Sequence, residues 1–144
     1  MEQKDILSGF AQLGKLMRAL GNSEEWKDFN VGVTQSEYDA LTGVINRQVS
    51  YNGWFTKENV RKALLNLGNQ LTQELLSEWV EKYEYTASPK RIGIIMAGNI
   101  PLVGFHDFLC VLCSGNTAVC KLSSNDKTLL PALATHLLQF CPDL

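Results

Sequence analysis

The 144-residue sequence lacks any apolar run approaching the roughly 20 residues that a membrane span requires. It also lacks a charge excess: 13 Lys and Arg stand against 15 Asp and Glu, for a net charge of -2. Nothing in that balance draws in nucleic acid or an anionic membrane surface. The first ten residues, MEQKDILSGF, place acids beside a lysine and contain no apolar h-region. No signal peptide is expected, and the cytoplasm is the expected compartment. Histidine is scarce, with only His106 and His136, and the four cysteines (Cys110, Cys113, Cys120 and Cys141) all fall in the last quarter among Leu, Val and Phe. Cys110 and Cys113 have the CxxC spacing of redox and zinc sites, but a zinc site needs a second ligand pair. Reduced core thiols and no metal site are expected, because free cysteine is among the most buried residue types.

What is present is an ordinary globular composition, 45% hydrophobic and 19% charged, long enough for one real core. The first two-thirds reads as helix. Ile6, Phe10, Leu13, Met17 and Leu20 keep the three-to-four spacing of one helical face, and Gly21-Asn22 ends it. Thr34 and Glu37 have capping-box spacing, with Val33 and Tyr38 placed as a hydrophobic staple. They open a second helix through Leu41, Ile45 and Gln48. Tyr51-Asn52-Gly53-Trp54-Phe55 is an aromatic turn, and Thr56 caps a third helix ending at Gly68-Asn69. A fourth helix carries Leu71, Leu75, Leu76, Trp79 and Tyr83 on one side, before the connector Thr86-Ala-Ser-Pro89-Lys90.

The pattern then changes. Arg91 to Met96 is a short apolar run rich in isoleucine, which predicts a buried strand. Pro101 fits the first position of a helix over 101–113, where a missing N–H costs nothing. Gly115-Asn116 breaks that helix, Thr117 to Lys121 is a second strand, and Asp126 to Phe140 is a last helix. Asp126 sits near its positive end, with Leu129, Leu130, Leu133, Leu137 and Leu138 facing inward. The class is α/β: a helical region over 1–88, then a β-α-β-α unit over 89–144 with parallel strands, a right-handed crossover and both sheet faces covered. Two strands make a poor sheet. The chain is therefore expected to be the N-terminal part of a longer protein and to associate as a homo-oligomer. Asn99, between an apolar strand and an apolar helix, must be paired, solvated or used. It is either a turn asparagine capping the next helix or a donor to a ligand.

The stretch AGNIPLVGFHDFLCVLCSGNTAVCKLSSND, residues 97–126, resembles the first cofactor-binding segment of the aldehyde dehydrogenase superfamily. There a strand ends in an Asn-x-Pro turn, a helix and a Gly-Asn-Thr turn follow, and a second strand ends in Lys. GNIPLVGFHD and KLSSND are more closely similar to the acyl-CoA reductase family, as is NGWFTKENVRKAL at 52–64. The similarity is close over about 50–140 and loose before that. It implies an incomplete Rossmann-like cofactor domain and an acyl-CoA or related thioester substrate.

The resemblance also implies roles. Asn99 matches the asparagine whose amide donates to the oxyanion of a thiohemiacetal, and Gly98 lets backbone approach the ligand. Lys121 matches the lysine that holds the adenosine ribose of a nicotinamide cofactor. Many relatives carry an acid three positions later, and here that position is Ser124. Without a carboxylate there, Ser123 and Ser124 can donate to a 2′-phosphate, so NADPH is slightly favoured over NADH. None of the four cysteines matches the family's nucleophile. His106 and Asp107 follow no catalytic spacing and read as a structural helix-face pair. Two further readings stand beside the enzyme: a non-catalytic nucleotide- or CoA-binding module, and an interaction protein docked through its helices and open sheet edge. Continuation of the coding frame past Leu144 into a cysteine-bearing segment selects the enzyme.

Overall fold

A computed structural model describes residues 1–144. It contains α1 (Gln3–Gly21), α2 (Gln35–Tyr51), α3 (Lys57–Gln70), α4 (Gln73–Val80), β1 (Arg91–Ile95), α5 (Phe105–Cys113), β2 (Thr117–Lys121) and α6 (Leu129–Phe140). No helix is long and apolar enough to cross a membrane. The strands pair in parallel, with Arg91 opposite Thr117 and Ile95 opposite Lys121.

The caps explain the helix starts. Thr34 Oγ1 accepts from the Glu37 N–H at 3.2 Å, and Glu37 Oε2 accepts from the Thr34 N–H at 2.7 Å, so each satisfies a backbone donor that the first turn leaves free. Thr56 and Thr72 cap α3 and α4 in the same way, each accepting an N–H at 3.2 Å. One core runs from Ile6 to Cys141 and draws on every element but β2. Phe10 of α1, fully buried, meets Phe105 and Phe108 of α5 edge-on, each at 6.2 Å between ring centroids. Such pairs add about 1 kcal/mol beyond the area they bury. Gln48 of α2 is buried too, and its Nε2 donates to Thr128 Oγ1 at 2.7 Å, tying α2 to the start of α6.

Several expectations are corrected. Leu71 precedes α4, and the inward positions of that helix are Leu76 and Val80. Leu75 is exposed, and Tyr83 is exposed and lies beyond the helix. An eight-residue helix has room for one short apolar stripe, and Leu76 and Val80, four apart, fill it. Pro101 is not the first residue of α5: residues 101–104 form turns, and the helix begins at Phe105. The delay follows from Leu102, whose φ of 60° leaves the right-handed helical region. The last helix starts at Leu129, three residues after Asp126, and Leu138 is exposed.

The sheet is covered on one face only. Ile94 is buried and Ile92, Ala118 and Cys120 are half-buried on the side where α5 packs, whereas Gly93, Ile95, Thr117, Val119 and Lys121 are exposed. Apolar residues on both faces suggested a strand covered twice, but Ile95 is 84% exposed.

The closest helix crossing generates a prediction. A Cβ at Gly14 of α1 would collide with the Leu71 carbonyl and lie 2.7 Å from Leu71 Cβ. Crowding of this kind costs about 2 kcal/mol, against a helix-propensity gain of about 1 kcal/mol for alanine. Gly14→Ala is therefore expected to lower stability by about 1 kcal/mol in chemical denaturation. Gly93→Ala, where a Cβ meets nothing within 4 Å, is expected to cause no loss.

Candidate active site

Both strands end on the same side of the molecule, and in open α/β sheets ligands bind outside the carboxyl ends of the strands. After β1 the chain turns through Ala97-Gly98-Asn99-Ile100-Pro101, and after β2 it loops through Leu122 to Thr128. The Lys121 carbonyl accepts the Met96 N–H at 3.0 Å, extending the ladder up to the turn. The two loops then touch. Gly98 is buried, and a Cβ there would collide with Ser123 Oγ and lie 2.7 Å from Ser123 Cβ. The neighbour that Gly98 admits is thus the Ser123 side chain. Ser123 Oγ also accepts from the Asn125 N–H at 3.2 Å.

A second tie is made by Asp126. Its Oδ2 accepts the Leu102 N–H at 3.1 Å in a buried setting. Leu102 is itself buried with a positive φ, a conformation costing about 1–3 kcal/mol that persists only where the surroundings impose it. Burial pushes the Asp126 carboxyl above its usual range, and the N–H groups of Leu102 and Leu129 oppose that rise. The acid that reads in sequence as a helix-end charge is a buried brace between two loops.

An open groove of about 560 Å³ lies against the turn, lined by Tyr51, Asn52, Gly53, Trp54, Gly98, Asn99 and Asn125. Asn99 is exposed in it, free to donate to a bound group. Trp54 is 79% exposed. Lys121 and Ser124 are exposed and Ser123 is half-buried at this end of the molecule, but none of the three lines the groove. The structure therefore gathers Gly98, Asn99, Ser123 and Asn125, and leaves Lys121 and Ser124 beside them. Sequence reading missed Asn52, which reaches the turn from the end of α2. Its Nδ2 donates to the Gly98 carbonyl at 3.4 Å and to the Asn125 carbonyl at 3.3 Å, and its Oδ1 accepts the Trp54 N–H at 3.1 Å. Asn-Gly marks a turn, but nothing local tells which distant carbonyls the carboxamide meets.

The cysteines lie elsewhere. Burial raises all four thiols and pushes Cys113 up to about 12, so none is poised as a thiolate. Cys110 Sγ stands 3.5 Å from His106 Nε2, one turn away on α5, while Asp107 adds charge that raises the Cys110 thiol further. His106 and Asp107 are both exposed on α5.

Asp126 makes stability depend on pH. Its folded pKa lies above the ordinary 3.8, so its protonated form favours the folded state. The stability it contributes is present below that value and is lost as pH rises through the raised folded pKa. Asp126→Asn removes the ionisable group while keeping an oxygen that can accept the Leu102 N–H. The variant is expected to lose less stability than wild type as pH rises from about 4, the ordinary carboxyl value, measured by denaturant midpoints; parallel curves would refute this.

No curated protein and no solved structure gave a match to the chain. Residues 22–143 match the family described as acyl-CoA reductase (LuxC). The match takes in α2 to α6, both strands and both loops of the groove. The chain belongs to the acyl-CoA reductase (LuxC) family.

Proposed function

We propose that this chain is the N-terminal part of an NAD(P)H-dependent acyl-CoA reductase that converts an acyl thioester to an aldehyde through a thioester enzyme intermediate. Residues 1–88 form its helical region, and residues 89–144 open a Rossmann-like cofactor domain. The observation that supports the reading best is Asn99, exposed in the groove on the turn after β1, in a chain of this family. A carboxamide N–H preset there is suited to an oxyanion developing on the thioester carbonyl, a contribution of roughly 3 kcal/mol. A thiolate must attack that carbonyl. None of the four cysteines matches the family's nucleophile or lines the groove, and burial raises each thiol, so the nucleophile is proposed to lie outside residues 1–144.

The exposed Lys121 ammonium and the Ser123 and Ser124 hydroxyls, beside the carboxyl end of β2, fit the ribose and phosphate of a nicotinamide cofactor. The bound cofactor supplies the hydride. In this reading Lys121 holds the adenosine ribose. The serines offer donors without the repulsion that a carboxylate would exert on a 2′-phosphate. The open sheet face, where Ile95 and Val119 are exposed, supports association into a homo-oligomer at micromolar concentration. Sedimentation velocity tests that, and a strictly monomeric particle would rule it out.

The activity test is acyl-CoA-dependent oxidation of NADPH. The product of the complete coding frame is expected to show it and residues 1–144 alone are not. Asn99→Ala in the complete protein is expected to lower kcat by about 100-fold; turnover by the 144-residue chain would sink the account of the nucleophile. Ser124→Glu is expected to lower the ratio of kcat/KM for NADPH to that for NADH. An unchanged ratio would place Ser124 away from the ribose.

A further inference from the structure

We propose that Asn52 is a positioning residue for Asn99, fixing the peptide plane from which the oxyanion donor projects; the proposal rests on the reading of Asn99 given above. The Gly98 carbonyl belongs to the same peptide unit as the Asn99 N–H. Glycine restrains its own ψ less than any other residue. Asn99 is exposed and follows a glycine, so without an outside hold the plane between them is the loosest joint in the turn. Asn52 supplies that hold through its Nδ2 bond to the Gly98 carbonyl at 3.4 Å.

The hold is anchored on three sides. The second hydrogen of the same amide goes to the Asn125 carbonyl at 3.3 Å, and Oδ1 accepts the Trp54 N–H at 3.1 Å. The Asn52 backbone caps α2, donating to the Gln48 carbonyl at 3.0 Å, and its own carbonyl accepts the Phe55 N–H at 2.9 Å. Asn59 Nδ2 then donates to the Trp54 carbonyl at 2.9 Å. A carboxamide offers two donors and an acceptor in one plane, and here all three are used. The far end of the turn is held separately, by Asp126 on the Leu102 N–H. Residues 99–101 are thus pinned at both flanks, and both pins reach the 123–126 loop. The Asn52 pin does not touch the groove's donor itself. It fixes the peptide unit that carries the Asn99 Cα, and so the point from which that donor extends, a part of the preorganisation on which oxyanion stabilisation depends.

Asn52→Asp tests this. The substitution keeps an acceptor for the Trp54 N–H but replaces both donors with a carboxylate facing two carbonyl oxygens. In the complete reductase it is expected to lower kcat for acyl-CoA reduction about tenfold or more, with KM for NADPH within about twofold of wild type. In an Asn99→Ala background the same substitution is expected to cause no further loss, because the residue it positions is gone. Wild-type kcat in the single variant would overturn the proposal. So would an equal fold loss in both backgrounds, which would mark a general structural role. Should Asn52→Asp fail to fold, Asn52→Ser enters the same cycle. If the wild-type enzyme shows no thioester reduction, the Asn99 reading fails along with this one. Amide spectra of the 144-residue chain then show separately whether the contact exists. In the Asn52→Asp variant, signals of Gly98, Asn99 and Asn125 are expected to shift while the core resonances of α1 stay in place.

Discussion

The backbone of α1 approaches its neighbours more closely than side chains ordinarily allow, and the packing of the whole chain turns on that approach. At Gly14 there is no room for a Cβ beside Leu71, and at Gly21 a Cβ would lie 2.8 Å from the Leu65 N and 2.9 Å from the Arg61 carbonyl. At Gly9 it would lie 2.9 Å from Cys141 Cβ at the end of α6. Three glycines on one helix thus open three crossings, against the residues just beyond α3, against α3 itself and against the far end of the sequence. Arg18, one turn beyond Gly14, donates to the Gly68 carbonyl near the end of α3. The apolar face between these points, Phe10, Leu13 and Met17 among it, is fully buried. With α1 seated, α5 is fixed by the Phe10 ring against Phe105 and Phe108, and α5 in turn backs the sheet.

The groove depends on the same scaffold at one remove. Asn99 lies on a short loop, and loops position chemistry only when a rigid frame fixes their ends. Here the frame is composite: α2 presents Asn52, the loop after β2 presents Ser123 and Asp126, and β1 delivers the turn. The helical region therefore lines the groove, through Tyr51 to Trp54, and is not an appendage to it. The left-handed Leu102 is the local strain in this arrangement, and its N–H bond to buried Asp126 helps to hold it there.

Local signals in the sequence were sufficient for much of this. Thr34 and Thr56 announce helix starts because capping is a bond between residues three apart, and β2 has the bounds that the Gly115-Asn116 break and the terminal Lys121 suggest. The family was legible in GNIPLVGFHD, KLSSND and NGWFTKENVRKAL, short stretches read along the chain. What failed was information that belongs to partners far away in the chain. Leu75 and Leu76 are chemically alike, and only the packing of α4 decides that Leu76 goes in. The strands read as covered twice because isoleucines face both ways, yet α5 packs against one face and Ile95 and Val119 on the other are exposed. Asp126 looks like a charge at a helix start, and its burial between two loops follows from a bond to Leu102 that no spacing rule anticipates. Asn52 was hidden for the same reason.

The contact between Gly9 and the end of α6 has a consequence for synthesis. On the ribosome α1 emerges well before α6: Leu137 and Cys141, which close over Gly9, come about 130 residues later, roughly 10 s at ordinary elongation rates. During that interval the side of α1 that will meet α6 stays open to water or to a chaperone, while the side toward α3 can already close. The order of synthesis thus makes the α3 contact of α1 available first, and the α6 contact only once α6 has left the exit tunnel. Slowing translation between α3 and α6 would lengthen the exposure of that flank and leave the first pairing untouched.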